Sequence, residues 1–186
     1  MVTGERLYTA QDLWALAEDD KRLELLEGEI VEVSPAGDKH TEVGMWIGYL
    51  ILDHAMKNAL GVVSGSDGGY ILSTDPDTVV APDVGFLSNA RLTPATGGYY
   101  PVPPDLAVEV ISPNDTAREI RRKVRLYLRA GTRMVWVIYP EERVVDVYRP
   151  NAPVVILESD DTLDGGDVLP GFVLPVTRVF ERMRTS

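Results

Sequence analysis

Apolar positions along the chain switch between two repeats, and the switches mark out its elements. Steps of three and four residues through Val43, Ile47, Leu50, Ile51 and His54 predict a helix over 41–60, with Gly61 as its stop. A second helical stripe, Ile120, Val124, Tyr127 and Leu128, predicts a helix over 116–130, capped by Asn114 or Asp115 and ended by Gly131. Thr9 suits the cap of a first helix running from 10 to about 19, with Asp12 in its first turn. Strand patterns fill the intervals. Residues 22–33 give two strands turned at Gly28, and further strands are predicted at 62–63, 69–72, 78–87, 105–111, 134–139, 144–148 and 154–158. The segments 105–111 and 134–139 are almost wholly apolar, which predicts burial on both faces. Residues 34–38, 89–103 and the acidic stretch 159–167 are expected to be loops. The alternation of helices and strands predicts an α/β fold with a mixed central sheet. With no repeat or linker in sight, it predicts one domain over 1–186.

Composition narrows the chemistry. The chain has 186 residues and no cysteine, which excludes disulfides and thiolate catalysis. A metal would have to be held by oxygen or histidine, a donor set that favours Mg²⁺, Mn²⁺ or Ca²⁺ over structural Zn²⁺. No phosphate loop of Walker type and no Gly-x-Ser-x-Gly elbow are present, which disfavours an NTPase and a serine hydrolase. The N-terminal stretch lacks the basic and apolar regions of a signal peptide, and no apolar run is long enough to span a bilayer. The expectation is a soluble, cytoplasmic protein without a membrane partner.

The net charge of −11 works against nucleic acid as a partner, because DNA affinity comes largely from cations that neutralise phosphates. One local exception stands out. Residues 118–133 hold Arg118, Arg121, Arg122, Lys123, Arg125, Arg129 and Arg133, seven of the chain's eighteen Lys and Arg. They are either a solvated helix face or a basic surface.

Two carboxylates sit among apolar strand residues: Asp83 after Pro82, and Glu109 in Leu-Ala-Val-Glu-Val-Ile. A buried carboxylate must be paired, protonated or bound to a cation. Asp83 and Glu109 either face solvent or an arginine across a half-open sheet, or share a divalent ion that offsets their repulsion and holds phosphate oxygens. Lys123 borders the apolar stripe of the 116–130 helix. It either snorkels to the surface or reaches over the strand ends towards the acids. Glu24 and Glu27 precede Gly28, and at least one of them is expected to face solvent. His40 stands before the first long helix, and His54 lies on that helix's apolar face.

Five stretches carry a resemblance. They are Leu23-Glu24-Leu25-Leu26-Glu27-Gly28-Glu29; Ser34-Pro35 followed by His40; Ala81-Pro82-Asp83-Val84; the run from Pro104 to Pro113 around Glu109; and Lys123-Val124-Arg125-Leu126-Tyr127 with Ala130-Gly131 and Val135-Trp136-Val137-Ile138. In this order, from Tyr8 to about Phe172, the chain resembles a bacterial restriction-endonuclease-like family of the PD-(D/E)XK nuclease superfamily. The resemblance implies a restriction-endonuclease-like core, a mixed central β-sheet flanked by helices. It implies Asp83 and Glu109 as metal ligands, Glu24 as an accessory acid at the metal, and His40 at the site's edge. The superfamily's third motif places a lysine two residues after the acid, whereas Ile111 stands there in this chain. The resemblance therefore implies that this role has moved to Lys123.

The expected function is Mg²⁺- or Mn²⁺-dependent hydrolysis of DNA phosphodiester bonds. A catalytically inactive binding module and a hydrolase of smaller phosphoesters are the competing readings. A homodimer is expected, because cutting both strands suits a two-fold pair and because loop 91–104 and the C-terminal strands carry Tyr and Val that the pattern leaves exposed.

Overall fold

Two positive backbone angles turn the first hairpin. The computed structural model describes residues 6–16 and 22–184. It opens with α1 (Ala10–Leu16), whose expected extension to about residue 19 lies outside the described residues. Thr9 and Asp12 cap α1 reciprocally: Thr9 N–H donates to Asp12 Oδ2 at 2.8 Å, and Asp12 N–H donates to Thr9 Oγ1 at 3.2 Å. β1 (Leu23–Leu26) then pairs with β2 (Glu29–Glu32). Glu27 (φ 55°) and Gly28 (φ 84°) form the two-residue loop between them, a geometry that matches the strands' right-handed twist.

The first long helix, α2 (Asp38–Lys57), starts three residues before its expected position and ends three residues short of Leu60. Thr41 does not cap it. Its hydroxyl instead back-bonds to Asp38 O at 2.8 Å, inside the first turn. At the far end Asn58 turns its side-chain amide onto His54 O at 2.9 Å, and Ala59 takes a left-handed angle (φ 50°). His54 is half-buried, with Nε2 3.0 Å from Pro170 O and its ring edge-on to Phe172.

The single strand expected over 78–87 is two strands in two sheets. β3 (Gly61–Gly65), β4 (Tyr70–Ser73) and β5 (Thr78–Val80) come first, then β6 (Val84–Ser88). β5 closes an antiparallel sheet of order β2-β1-β5-β4. β6 belongs to a second, six-stranded sheet. The chain crosses between them at Ala81-Pro82-Asp83, where proline has no N–H to continue a ladder. The apolar run hid the break, because both strands are buried throughout.

The six-stranded sheet adds β7 (Leu106–Val110), β8 (Met134–Tyr139), β9 (Val144–Tyr148) and β10 (Val155–Leu157) in the order β10-β9-β8-β7-β6-β3. Only β7 and β8 run parallel. Parallel neighbours need a long crossover, which α3 (Ala117–Ala130) supplies. The cap of α3 is Thr116, not Asn114 or Asp115. Thr116 Oγ1 accepts from Glu119 N at 3.3 Å, and Glu119 Oε2 accepts from Thr116 N at 3.0 Å, a capping box. Asp115 instead closes a turn onto Ser112 N–H at 2.7 Å. Gly131 ends α3 at φ 102°, in the left-handed region that favours glycine.

Strand alternation divides the core. Leu106, Val108 and Val110 face Val43, Ile47 and Ile51 of α2. Ala107, with Val135 and Val137 of β8, faces Val124 and Tyr127 of α3 and reaches Leu26, Tyr70 and Val80 of the four-stranded sheet. Glu109, on the same face as Ala107, therefore points into the layer between α3 and the smaller sheet.

The C-terminal stretch is more ordered than its acidity suggested. Within the expected 159–167 loop, β11 (Thr162–Asp164) pairs with β12 (Val173–Pro175), and α4 (Val176–Val179) follows. Leu163, Leu169, Phe172 and Val176 bury against the α2 face, while Asp160, Asp161 and Asp164 stay exposed. The tyrosines of loop 91–104 are packed rather than exposed: Tyr100 stacks on Tyr70 at 4.5 Å, and Tyr99 meets Trp14 edge-on at 5.0 Å. Val155 and Ile156 on edge strand β10 are exposed, as expected. Among the described residues, no helix is long and apolar enough to cross a membrane.

Asp105, fully buried before β7, ties the sheet's edge together. It accepts from Ser88 N–H at 2.8 Å and from Arg91 Nη1 at 2.9 Å. Burial opposes its charge, but the Ser88 and Arg91 hydrogen bonds outweigh it and hold the carboxyl below its usual range. A depressed carboxyl stabilises the fold above its unfolded value of about 3.9, and that contribution fades as pH falls through its folded value. Asp105→Ala is expected to cost about 2–3 kcal/mol in urea unfolding at neutral pH. The difference from the unsubstituted chain should shrink on acidification below about pH 4.

Candidate active site

Three carboxylates from three strand segments meet where the two sheets face α3. Glu24 comes from β1 and is 5% exposed. Its Oε1 accepts from Ala81 N–H at 3.1 Å, a tie to the segment that crosses between the sheets. Asp83 is positioned by that crossing. The β6–β7 ladder begins at Val84 opposite Val108, so Val110 lies beyond its last pair. The Val110 N–H donates instead to Asp83 Oδ2 at 2.8 Å. Glu109 arrives from β7 on the face turned towards α3.

Lys123 lies between two of these acids. Its Nζ is 2.9 Å from Glu109 Oε2 and 3.1 Å from Glu24 Oε1. Four residues on, the buried Tyr127 donates its hydroxyl to Glu109 Oε1 at 2.6 Å. Helical spacing thus delivers an ammonium and a phenol to the two oxygens of one carboxylate. Asp83 is held separately: His40 Nε2 donates to its Oδ2 at 3.0 Å, and Arg22 Nη2 stands 3.9 Å from its Oδ1. His40 Nδ1 is buried and has no hydrogen-bond partner among the described residues. All of these groups but Tyr127 line a cavity of about 380 Å³, with residues 33–36 and the turn after β7 along its walls.

The site gathers three carboxylates around one ammonium, with the His40 imidazole and the Arg22 guanidinium beside Asp83. Burial pushes the Glu109 carboxyl up to about 7; Lys123 opposes this rise, while the charges of Asp83 and Glu24 add to it. Burial works against the Lys123 ammonium, but Glu109 and Glu24 outweigh it and hold the amine above its ordinary range. Asp83 is lowered despite burial, chiefly by the hydrogen bond and charge of His40. His40 is raised despite burial, by the hydrogen bond to Asp83. Burial also raises the Tyr127 hydroxyl well above its ordinary value, with Glu109 adding to the effect, so it stays a donor.

The expected site residues Asp83, Glu109, Lys123 and Glu24 thus line one cavity, with His40 beside Asp83. Glu27 does not join them: it is exposed and pairs with Arg122 at 2.9 Å. Sequence reasoning missed two contributors. Tyr127 looked like one more apolar position of α3, although a buried phenol needs a partner. Arg22 was absorbed into the start of a strand.

The donor set is compatible with a hard divalent cation. Among the described residues no three His, Asp or Glu side chains form a ready cage for an ion. Mg²⁺, however, is commonly held by one or two carboxylates together with water and substrate phosphate. Asp83 and Glu109 supply such oxygens, and a divalent charge would offset the burial that raises Glu109 and the repulsion that adds to it.

Lys123→Met is expected to leave Glu24 and Glu109 buried without their cation. It should cost about 3 kcal/mol in urea unfolding at neutral pH. The loss should diminish in acid, where both carboxyls are neutral in the folded and unfolded states.

Comparison with known proteins gives the chain a family and a fold. The family model "Uma2: Putative restriction endonuclease" matches residues 10–177. Among solved structures, one from Anabaena variabilis ATCC 29413, described as "a putative nuclease belonging to DUF820", superposes with a TM-score of 0.84. It is 20% identical and covers 95% of this chain and 99% of its own, a likeness of fold. No curated protein matches the chain.

Proposed function

The chain belongs to the family described as Putative restriction endonuclease, and on that premise we propose that it is a metal-dependent endonuclease that hydrolyses phosphodiester bonds of DNA. One observation carries the reading: Glu109 and Glu24 converge on Lys123, with Asp83 beside them, inside a cavity open to solvent. Clustering carboxylates under burial is costly for a fold and useful for a site that recruits a cation.

Asp83 and Glu109 would hold Mg²⁺ or Mn²⁺, with Glu24 as accessory acid. When bound, the ion supplies neutralisation of the scissile phosphate and a lowered pKa for water. The chain's own groups set the stage. His40 and the Val110 N–H hold Asp83 Oδ2 in place, and Tyr127 holds Glu109 Oε1. Lys123 orients the attacking water or stabilises negative charge developing on the phosphate. Two copies related by a two-fold axis would cut both strands. Light scattering at working concentration should give the mass of a dimer, and a monomer would remove this part of the proposal.

A second reading, a nuclease-fold binding module without catalysis, is favoured by one feature. Lys123 already occupies both Glu24 and Glu109, and no three side chains form a cage among the described residues.

Incubation with plasmid DNA separates the two readings. Cleavage in Mg²⁺ or Mn²⁺ should stop with EDTA and fall at least about a hundredfold in Asp83→Ala or Glu109→Ala. Full activity in either variant would refute the assignment. DNA binding without cleavage on any substrate would favour the module.

A further inference from the structure

Six of the fourteen residues of α3 are basic and one is acidic, in a chain whose net charge is −11. Two of the six are paired with acids. Lys123 serves the carboxylate cluster, and Arg122 pairs with Glu27 and Glu29. The other four, Arg118, Arg121, Arg125 and Arg129, are exposed. Steps of three, four and four residues align them on one face, opposite the buried Val124 and Tyr127.

No salt bridge engages these four among the described residues. That is unexpected for a merely solvated face of an acidic protein, where carboxylates at i+4 would be the ordinary partners. The one acid of α3, Glu119, is drawn into the capping box with Thr116. The row and the site share one helix: Glu119, Ile120, Arg122 and Lys123, on other faces of α3, form a wall of the cavity, and the row lies on the solvent side of that wall.

Resting on the nuclease reading above, we propose that the outer face of α3 is a track that holds the phosphate backbone of DNA on the solvent side of the helix that walls the carboxylate site. The four cations are all arginine, whose planar fork engages phosphate through paired N–H donors. Eleven residues of helix extend about 16 Å. That is long enough to meet several phosphates of one strand. The track also resolves the conflict between an acidic protein and a polyanionic substrate, because the long-range repulsion is overcome at one face only.

The test reads binding apart from cleavage. Fluorescence anisotropy of a labelled duplex is measured in EDTA across a salt series. The chain is compared with R118A/R121A/R125A/R129A and with R118K/R121K/R125K/R129K, and circular dichroism checks the fold. If the alanine variant loses its helical signal, R118Q/R121Q/R125Q/R129Q replaces it. Removing the charges should weaken binding at least about tenfold at low salt and lower the slope of log affinity against log salt by about 3 to 4. The lysine variant should keep most of the slope.

An unchanged slope in the neutral variant overturns the track, as does a wild-type chain that binds no duplex at low salt. Loss of binding to anionic vesicles with duplex binding intact does the same. The outcomes separate from those of the parent reading. Wild-type cleavage with an unchanged slope removes the track and keeps the nuclease. A slope that falls in a chain that never cleaves removes the nuclease and keeps the track.

Discussion

Three carboxylates crowded together under burial organise this molecule's site. Glu24 and Glu109 share the Lys123 ammonium, and Asp83, close by, leans on His40 and one backbone N–H. Burial pushes Glu109 up to about 7, and the charges of Asp83 and Glu24 add to the rise against the pull of Lys123. A fold selected for stability alone would fill this space with apolar groups. The layer between α3 and the two sheets instead spends packing on a cluster that a divalent cation would relax.

The architecture explains how acids so distant in sequence meet. Proline at 82 forces the chain out of one sheet and into the next, which leaves Asp83 free of both ladders but next to the Val110 N–H. Strand alternation sends Val108 and Val110 to the α2 core and Glu109 to the opposite face. The parallel crossover from β7 to β8 then lays α3 over that face, and a four-residue step brings Lys123 and Tyr127 to the same carboxylate. Thr116 and Gly131 fix the ends of this helix, so the register of Lys123 follows from its caps.

Much of this could be anticipated from the residues. An acid inside an apolar strand marks Glu109, and a lysine at the margin of an apolar stripe marks Lys123. The helices over α2 and α3 and the apolar strands β7 and β8 follow from periodicity. What escaped did so for physical reasons. The apolar run 78–87 carries no period that reveals a change of sheet, because both halves are buried, and Pro82 was its only sign. Glu24 could not be told from Glu27 because β1 is covered on both sides and alternation fails there. β11, β12 and α4 are too short to show a repeat, and the exposed aspartates around β11 masked Leu163. Tyr127 was hidden by its apolar body.

The central claim is that Asp83 and Glu109 form a divalent-cation site beside Lys123. Anomalous diffraction from crystals soaked in Mn²⁺ addresses it without reference to any substrate. The account predicts a peak in contact with carboxylate oxygens of both Asp83 and Glu109. A map with no peak there, and with Lys123 still joined to Glu24 and Glu109, would contradict it.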